Sequence, residues 1–436
     1  MCIRANYLKL LRPLIFIRNY SSKNGYDIAI IGGGIVGTAT AREILRRCND
    51  LKCVIVEKEE CLAMHQSSNN SGVIHAGIYY QPGSMKAQLC TEGMKLLYQY
   101  LDEKDIPYKK IGKLIVATDK QQVNTLEDLY ERGLKNEVRD IRLIDGNEIC
   151  SVEPNCVGLK AIHSPHTGIV DYGVVCESYG KDFVDSGGEI RYNFEVNAIR
   201  VTSETSYVLS NDIEKYPIQI SSSKGEEINA GFVLSCAGLY ADKVAMMHGG
   251  ARDPAILPVR GEYLLLKPEK QHLVNGNIYP VPDVRLPFLG VHFTPKLDGN
   301  VWLGPNAILA FKREGYKYSD ISVKELSESL RNRGFQILAR KHLLFGIDQF
   351  LRSAIIRLQV KELRKYIPCL TVKDVMRGPS GVRAQAIDCN GSLVDDFVFD
   401  LGETGRVLHC RNAPSPAATS SLAIGRYLAR KVLEIL

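Results

Sequence analysis

The chain has 436 residues, enough for two hydrophobic cores, and its 45% hydrophobic and 24% charged residues are ordinary for a globular protein. No apolar run approaches the roughly 20 residues needed to span a bilayer, which favours a protein that is soluble or bound to a membrane surface. The net charge of +6 is modest, and no block of Lys and Arg is interleaved with aromatic residues, so no nucleic-acid partner is expected. The 12 cysteines form no CxxC pair and no cluster at zinc spacing, so neither a redox disulfide motif nor a structural metal is expected.

The first 26 residues have the composition of a mitochondrial presequence. They carry five Arg or Lys residues and no acidic residue, and charges and a proline interrupt their apolar stretch. Arg18 resembles the arginine of a processing-peptidase site, with cleavage just after Tyr20. The alternative is a disordered basic tail, and in either case we expect this segment to lie outside the fold.

A dinucleotide-binding motif follows directly. Residues 27–31 (DIAII) predict a buried strand, and Gly32, Gly34 and Gly37 follow in GxGxxG spacing before a helical pattern. The glycines allow a tight turn, close approach of a pyrophosphate and close helix–strand packing, while the helix N-terminus faces the anion. A second strand, CVIVEK, ends at Glu57, whose carboxylate can accept hydrogen bonds from a ribose diol. An adenine dinucleotide is therefore expected.

Three later stretches favour FAD over NAD. Residues 67–80 (SSNNSGVIHAGIYY) are rich in small residues that let the backbone lie against an isoalloxazine ring. Residues 231–245 predict a further strand and turn that close over the dinucleotide. Residues 405–433 predict a strand, a Pro-punctuated loop and a helix that starts near Ala417 and directs its positive end at the cofactor. The expected cofactor contacts in these stretches are Asn70, Ser71, Gly72, Val73, Ala237, Gly238, Ser415, Pro416 and Ala417.

Seven stretches together resemble the L-2-hydroxyglutarate dehydrogenase family, FAD proteins of the D-amino-acid-oxidase-like class. They are the GxGxxG turn, NSGVIHAGIYY (70–80), EPNCVGLKAIHSPHTGIVD (153–171), PVRGEY (258–263), LPFLGVHFTP with VWLGPNA (286–307), GPSGVRAQAID (378–388) and RNAPSPAATSSLAIG (411–425). The pattern departs from the family at Asn69, where a histidine is expected. The resemblance implies non-covalent FAD and oxidation of L-2-hydroxyglutarate to 2-oxoglutarate by hydride transfer to flavin N5. It also implies that electrons leave to a respiratory quinone or an electron-transfer flavoprotein.

The same resemblance implies an α/β fold with a Rossmann-like FAD domain and a substrate domain built on a mainly antiparallel sheet. We expect the FAD domain to comprise residues 27–85, 150–245 and 375–436. The substrate domain should comprise residues 86–149 and 246–374.

The reaction needs a base for the hydroxyl proton and cations for the carboxylates. His75 and His292 are the candidate bases, because imidazole titrates near neutral pH. In related glycerol-phosphate oxidases a histidine of the loop that matches the one carrying His75 faces the substrate. The alternative for His75 is a structural histidine that bonds the cofactor or backbone, and for His292 a core histidine.

Cationic anchors for the two carboxylates are expected among three residues. Arg383 in SGVRAQ is the first choice, since the related oxidases place an arginine here and its planar fork binds a carboxylate with two hydrogen bonds. Arg260 in PVRGEY is the second choice, and otherwise ties the two domains together. Lys113 in GKLIVA is the third, and otherwise is solvated.

Residues 334–367 have a different character, with seven Lys or Arg residues, two acidic residues and apolar residues at helical spacing. This pattern is typical of helices that lie on an anionic membrane surface. The alternative is that the helices pack on the substrate domain with a solvated basic face.

Two other functions remain open from the sequence. One is a related FAD oxidase or dehydrogenase that acts on glycerol 3-phosphate or a small amine. The other is a flavin-binding assembly factor without turnover, against which the presence of His75, Arg260, His292 and Arg383 argues.

Overall fold

The computed structural model describes residues 25–201, 215–283 and 289–436, and within them the chain forms two large β-sheets, a small third sheet and 11 α-helices. The strands are β1 (Gly25–Ile31), β2 (Cys53–Val56), β3 (Val73–Ile74), β4 (Tyr108–Lys109), β5 (Lys113–Ala117), β6 (Arg142–Asp145), β7 (Lys160–Ser164), β8 (Gly168–Val170), β9 (Glu189–Arg191), β10 (Val196–Val201), β11 (Ile218–Ser222), β12 (Glu227–Ser235), β13 (Ala255–Leu266), β14 (Asn277–Pro280), β15 (His292–Pro295), β16 (Val301–Gly304), β17 (Ile308–Leu309), β18 (Val375–Ile387), β19 (Val398–Leu401) and β20 (Val407–Asn412). The helices are α1 (Ile35–Arg47), α2 (Met85–Glu103), α3 (Lys120–Lys135), α4 (Gly146–Val152), α5 (Tyr172–Asp185), α6 (Ala241–Met247), α7 (Val323–Arg331), α8 (Arg333–Lys341), α9 (Leu343–Ala354), α10 (Ile356–Leu363) and α11 (Ser421–Ile435).

The first large sheet is the expected Rossmann-like sheet. Its order is β10-β11-β12-β1-β2-β9, with β20 beside β12 and β19 beside β20. β1 is central and parallel to both β2 and β12. Ile28 and Ile30 pack on one face with apolar residues of α1 and α11, while Ala29 and Ile31 face the opposite core. A strand buried on both faces in this way reads as a continuous apolar run, which is why DIAII was recognisable.

The second large sheet is mainly antiparallel, as expected, with the order β17-β13-β16-β15-β14-β5-β7-β6 and β18 along β13. On one face, paired residues form a buried row that packs against α10: Leu114, Ile278, Phe293, Leu303 and Leu264. Because side chains alternate along a strand, the neighbours of these residues lie on the opposite face. That face carries Lys113, Tyr279, His292 and Tyr263.

The small sheet, β3-β8-β4, holds the loop of residues 70–77 in place. Val73 and Ile74 pair with Ile169 and Gly168. These pairs fix the middle of the loop to β8 before any cofactor contact is considered.

Four expected placements need correction. β7 and β18, which the sequence analysis assigned to the FAD domain, belong to the second large sheet. β1 begins at Gly25, and α11 begins at Ser421 after turns, not near Ala417. Strand pairing between distant segments decides sheet membership, and local composition does not reveal that pairing. With these shifts we propose the same division into a cofactor domain and a substrate domain.

Within the described ranges, no helix has both the length and the apolar character required to cross a bilayer. The expected presequence falls on residues 1–24, outside those ranges, apart from Gly25 and Tyr26 in β1.

Candidate active site

A cavity of about 1110 Å³ is walled by residues of both large sheets, by residues 63–80 and by residues 410–419. Pockets for a single drug-sized ligand measure roughly 300–1,000 Å³. The volume therefore suits a dinucleotide together with a small substrate.

The glycine turn at one end of the cavity has the geometry that the motif requires. Gly32 has φ +109°, and a Cβ there would lie 2.5 Å from the Cys236 carbonyl oxygen. A Cβ on Gly37 would clash with the Gly32 carbonyl oxygen. Gly34 lines the cavity as the N-cap of α1 and has no capping side chain. Ser67 Oγ accepts a hydrogen bond from the Ile35 amide at 2.9 Å, and the positive end of the α1 dipole can still attract a pyrophosphate.

Glu57 lines the same end of the cavity and is 8% exposed. Its Oε2 accepts a hydrogen bond from the Gly33 amide at 2.6 Å, and its Oε1 accepts one from the Glu59 amide at 3.0 Å. Each carboxylate oxygen can accept a second hydrogen bond. The carboxylate is thus fixed in place and can still receive a ribose hydroxyl.

The other expected cofactor residues are also at the cavity wall. Apart from Gly37 and Gly72, all of them line the cavity: Gly32, Gly34, Glu57, Asn70, Ser71, Val73, Ala237, Gly238, Ser415, Pro416 and Ala417. Gly72 lies behind the wall with φ +74°. The residues present therefore fit an adenine dinucleotide.

The loop that carries His75 is held by side chains from three directions. Asn70 Oδ1 accepts a hydrogen bond from the Gly72 amide at 2.8 Å. Lys296 Nζ, on the substrate side, donates to the Ser71 carbonyl oxygen at 3.0 Å. Thr419 Oγ1 accepts from the His75 amide at 3.1 Å. These bonds fix the backbone along the cavity before a ligand arrives.

Asn69 stands where the resemblance led us to expect a histidine, and its side chain bonds the backbone. Its Nδ2 donates to the carbonyl oxygens of Met64 and His65 at 2.9 and 2.8 Å. The side chain stabilises the turn that leads into the cofactor loop.

His75 and His292 both line the cavity, and the His292 imidazole is close enough to act on the pKa of His75. His75 Nδ1 is buried without a hydrogen-bond partner. Burial, followed by the charges of Lys113 and His292, holds the pKa of His75 well below its usual value. A neutral imidazole can accept a proton, as a base must.

His292 lies on β15 and is 6% exposed. Its ring stacks on Tyr279, with centroids 4.1 Å apart, and its Nδ1 lies 3.2 Å from Thr294 Oγ1. Burial, then Lys113 and Arg383, lowers the pKa of His292 to about 3. This histidine is therefore also neutral at physiological pH.

Arg383 on β18 extends its side chain into the cavity. Its guanidinium group is exposed to the space of the cavity, and protein atoms surround that space. Tyr263 on β13 lines the cavity close to it, and its ring lies 6.5 Å from that of His292. An arginine and a phenol at one end of a cavity with two histidines can hold a carboxylate next to an alcohol.

Arg260 does not reach the cavity, which corrects the expectation that it contacts the substrate. It is fully buried, its Nη1 donates to the Lys317 carbonyl oxygen at 2.9 Å, and its Nη2 lies 3.2 Å from Glu262 Oε1. Val259, Gly261 and Tyr263 line the cavity instead. The alternation of side chains along β13 turns every second residue away, so Arg260 stabilises the interior of the substrate domain.

Lys113 is 3% exposed and is not part of the cavity wall. Its Nζ lies 4.2 Å from the ring centroid of Tyr279 and 5.4 Å from that of Tyr79, and both rings line the cavity. The structure therefore places it directly behind the wall and not in solvent. Tyr79, Tyr263 and Tyr279 were not predicted from the sequence as site residues, although Tyr79 and Tyr263 lie inside the motifs NSGVIHAGIYY and PVRGEY.

One group of side chains near the cavity has metal-ligand chemistry. His65 Nε2 lies 2.9 Å from Glu59 Oε1 and 3.0 Å from Glu314 Oε1. Lys58 forms ion pairs with both carboxylates. Because the ammonium group already compensates their charge, we assign the group as an ion-pair network.

Comparison with known proteins agrees with this geometry. Residues 27–431 match the model of the FAD dependent oxidoreductase family. The FAD-bound L-α-glycerophosphate oxidase of Mycoplasma pneumoniae superposes with a TM-score of 0.71 at 23% identity, over 94% of each chain. Glycine oxidase from Bacillus cereus superposes with a TM-score of 0.65 at 20% identity, over 94% of this chain and 96% of that one. At these identities the likeness concerns the fold alone. The family match over residues 27–431 shows that the chain is an FAD-dependent oxidoreductase.

Relatives of much higher sequence identity show to which family of FAD-dependent oxidoreductases the chain belongs. L-2-hydroxyglutarate dehydrogenase of Nematostella vectensis is 54% identical over 94% of this chain and 91% of its own. The human mitochondrial enzyme of the same name is 51% identical over 97% of this chain and 92% of its own. The chain belongs to the L-2-hydroxyglutarate dehydrogenase family, and its cofactor is FAD.

Proposed function

We propose that this protein oxidises L-2-hydroxyglutarate to 2-oxoglutarate, with FAD as the acceptor of the Cα hydride. The observation that carries the proposal is that His75, His292 and Arg383 line the same cavity, with His292 close enough to lower the pKa of His75 and Arg383 close enough to lower that of His292. The relatives named for this activity support the choice of substrate.

Each side chain of the proposed site has a separate role that follows from its chemistry. Arg383 binds the carboxylate next to the reacting carbon through its planar fork, and the nearby Tyr263 hydroxyl can donate to the same group. The bound carboxylate fixes the orientation of Cα. The aromatic rings of Tyr79, Tyr263 and Tyr279 enclose this end of the cavity and exclude water.

His75 is proposed as the base that takes the hydroxyl proton. It is neutral, it lines the cavity, and its backbone is held by Thr419. His292, fixed by its stack on Tyr279, is proposed to bond the substrate hydroxyl and orient it towards His75. When bound, FAD supplies the two-electron acceptor that this proton transfer accompanies.

The first test is anaerobic mixing of the purified protein with L-2-hydroxyglutarate while the visible absorbance of oxidised flavin is recorded. D-2-hydroxyglutarate, glycerol 3-phosphate and glycine serve as the comparison panel. Bleaching by the L acid alone is expected. Bleaching by glycerol 3-phosphate or glycine alone would assign the protein to a related oxidase, and a flavin that none of them bleaches would favour a role without turnover.

The protein is mitochondrial, as the names of its relatives and the cationic composition of residues 1–26 indicate. We propose the matrix side of the inner membrane as its place and a respiratory quinone or an electron-transfer flavoprotein as its electron acceptor. Reoxidation of the reduced protein by a short-chain quinone and by electron-transfer flavoprotein, compared with oxygen, tests the acceptor.

We also propose that α8 and α9 contact the membrane surface. Leu343, Leu344, Ile347 and Phe350 on α9 are exposed, Leu344 by 83%. Arg340 and Lys341 end α8 next to this apolar group. α10 packs instead on the second large sheet through Val360 and Leu363. This part of residues 334–367 therefore agrees with the alternative interpretation, in which the helices pack on the substrate domain.

Flotation with vesicles of anionic and of neutral lipid tests this contact. Leu344→Asp should reduce flotation with anionic vesicles. Val184→Asp, on the distant α5 and 48% exposed in the parent, is the matched control and should float as the parent does. A parent protein that remains in solution with both kinds of vesicle contradicts the proposal.

A further inference from the structure

Among the buried cations of the described residues, Lys113 is the one that has no carboxylate within ion-pair distance in those residues. Five Lys or Arg side chains are less than 9% exposed in the described residues, and four of them pair with a carboxylate. These pairs are Lys86 with Asp395, Arg260 with Glu262, Arg313 with Asp242, and Arg411 with Asp400. The cation–π contacts with Tyr79 and Tyr279 are the interactions that the structure gives the Lys113 ammonium group.

The titratable groups around Lys113 also supply no negative charge. They are the Cys90 thiol on α2, the Tyr79 and Tyr279 phenols, and the His75 and His292 imidazoles. Burial raises the pKa of Cys90 to about 12 and raises the pKa values of both tyrosines, so all three remain protonated and neutral. Both imidazoles are neutral for the reason already given. A protonated Lys113 is therefore an uncompensated buried charge, which is costly in a protein interior.

The position of Lys113 in the second large sheet indicates that a bound substrate could supply the negative charge that Lys113 lacks. In the second large sheet, the strand of His292 lies between the strand of Arg383 and the strand of Lys113. Both cations are close enough to depress the pKa of His292, after burial. A ligand with one carboxylate at Arg383 and its hydroxyl at the histidines would extend towards the side of the sheet that holds Lys113.

We propose that the counter-ion of Lys113 is the distal carboxylate of the bound substrate, and that Lys113 is the positioning residue that makes the site selective for a dicarboxylate. The inference rests on the proposed function and deepens it. Lys113 acts through the wall formed by Tyr79 and Tyr279. The protein leaves the negative charge to be supplied by the ligand.

A proton must then accompany the ligand. Burial lowers the pKa of Lys113 to about 7, so much of it is neutral in the ligand-free protein above that pH. A nearby carboxylate favours the charged form of a lysine. Binding of the dicarboxylate therefore raises the pKa of Lys113, and the protein takes up a proton from the solvent.

Calorimetric titration of the oxidised holoenzyme measures this uptake. The ligands are 2-oxoglutarate and 2-oxobutanoate, which lacks the distal carboxylate, each at about pH 8 in two buffers of different ionisation enthalpy. We expect uptake approaching one proton per site with 2-oxoglutarate and almost none with 2-oxobutanoate. Equal uptake with both ligands, or none with 2-oxoglutarate, overturns the proposal without any variant.

Two variants separate charge from packing. Lys113→Met should bind 2-oxoglutarate about tenfold more weakly or worse, lose the proton uptake, and bind 2-oxobutanoate almost as the parent does. Lys113→Arg carries a permanent charge and should keep dicarboxylate binding without proton uptake. If Lys113→Met weakens both ligands equally while it retains its flavin, Lys113 has only a packing role.

The same titrations distinguish failure of this inference from failure of the proposed function. A parent protein that L-2-hydroxyglutarate reduces, but that takes up no proton with 2-oxoglutarate, keeps the proposed function and loses the role of Lys113. A parent protein that is neither reduced by the acid nor bound by 2-oxoglutarate loses both.

Discussion

The His292 and Tyr279 rings stack in parallel, with centroids 4.1 Å apart and 7° between their planes. They lie on neighbouring strands, next to the paired residues Ile278 and Phe293. The sheet register therefore sets the orientation of the imidazole, and the ring of Tyr279 also receives the Lys113 ammonium group. Tyr279 thus contacts both His292, which is proposed to bind the substrate hydroxyl, and Lys113, which is proposed to select a dicarboxylate.

Replacement of the proposed base should affect proton transfer and leave the cofactor in place. We expect His75→Gln to slow anaerobic flavin reduction by L-2-hydroxyglutarate about 10²–10⁴-fold, the usual contribution of a positioned base. His292→Gln, which keeps a hydrogen-bonding group, is the comparison and should slow reduction less. Stopped-flow measurement of flavin bleaching gives both rates. A larger loss for His292→Gln would exchange the two roles.

The depressed histidine pKa values predict the behaviour of the enzyme in mild acid. Because His75 stays neutral below 6.5, its protonation should not slow flavin reduction between pH 7.5 and 6.5. The stability of the fold, in contrast to the rate of flavin reduction, should depend on pH in mild acid. Below pH 6.5 the unfolded chain binds protons at His75 and His292 that the folded chain does not, so the free energy of unfolding falls by about 1.4 kcal/mol per pH unit for each histidine. Denaturant unfolding and single-turnover rates across this range check both statements.

The two arginines should respond differently to substitution. Arg383→Lys keeps the charge but loses the planar fork, and we expect a rise of about tenfold or more in the KM for L-2-hydroxyglutarate. Arg260→Lys should leave KM nearly unchanged and lower the melting temperature, since the buried side chain bonds Lys317 and faces Glu262. Steady-state kinetics and thermal unfolding of the two variants make the comparison. A clear rise in KM for Arg260→Lys would indicate that Arg260 contacts the substrate.

The glycine turn offers a test of cofactor retention that does not depend on turnover. Gly37→Val places a side chain against the Gly32 carbonyl oxygen, so α1 cannot keep its approach to β1 and FAD should be lost on purification. Gly405→Val is the control, because a Cβ there meets no atom within 4 Å, although its φ of +68° adds local strain. The ratio of flavin to protein absorbance reports the outcome. Full flavin content in Gly37→Val would contradict the assigned turn.

Removal of the unpaired charge at Lys113 should stabilise the ligand-free protein. Between pH 7 and 10.5 the unfolded chain holds a proton on Lys113 that the folded chain lacks, so this residue lowers the free energy of unfolding most at the acidic end of that range. Lys113→Met should therefore melt several degrees higher than the parent near pH 7, and the difference should shrink as the pH rises. A variant that melts lower at every pH would indicate that Lys113 stabilises the fold.

The cofactor end of the site was largely predictable from the sequence. Gly32, Gly34 and Gly37 act through backbone geometry within one turn, and Glu57 follows at the end of the next strand. Such relationships depend on neighbours along the chain, and they are therefore visible in the spacing. The motif residues at 70–73 and 415–417 were predicted for the same reason, although only the structure shows that both segments meet at one cavity.

The substrate end depended on the tertiary structure. Arg260 and Arg383 both stand in recognisable motifs, yet strand alternation turns Arg260 inward and leaves Arg383 in the cavity. The partners of Lys113 come from α2, β14, β15 and the His75 loop, which are distant in sequence. Whether a lysine has a counter-ion is a property of those packed segments together. The sequence by itself determined the cofactor and the family, because their signals are local. Only the folded chain decided which cations line the cavity, because that depends on sheet pairing and on the charges that distant segments do or do not bring.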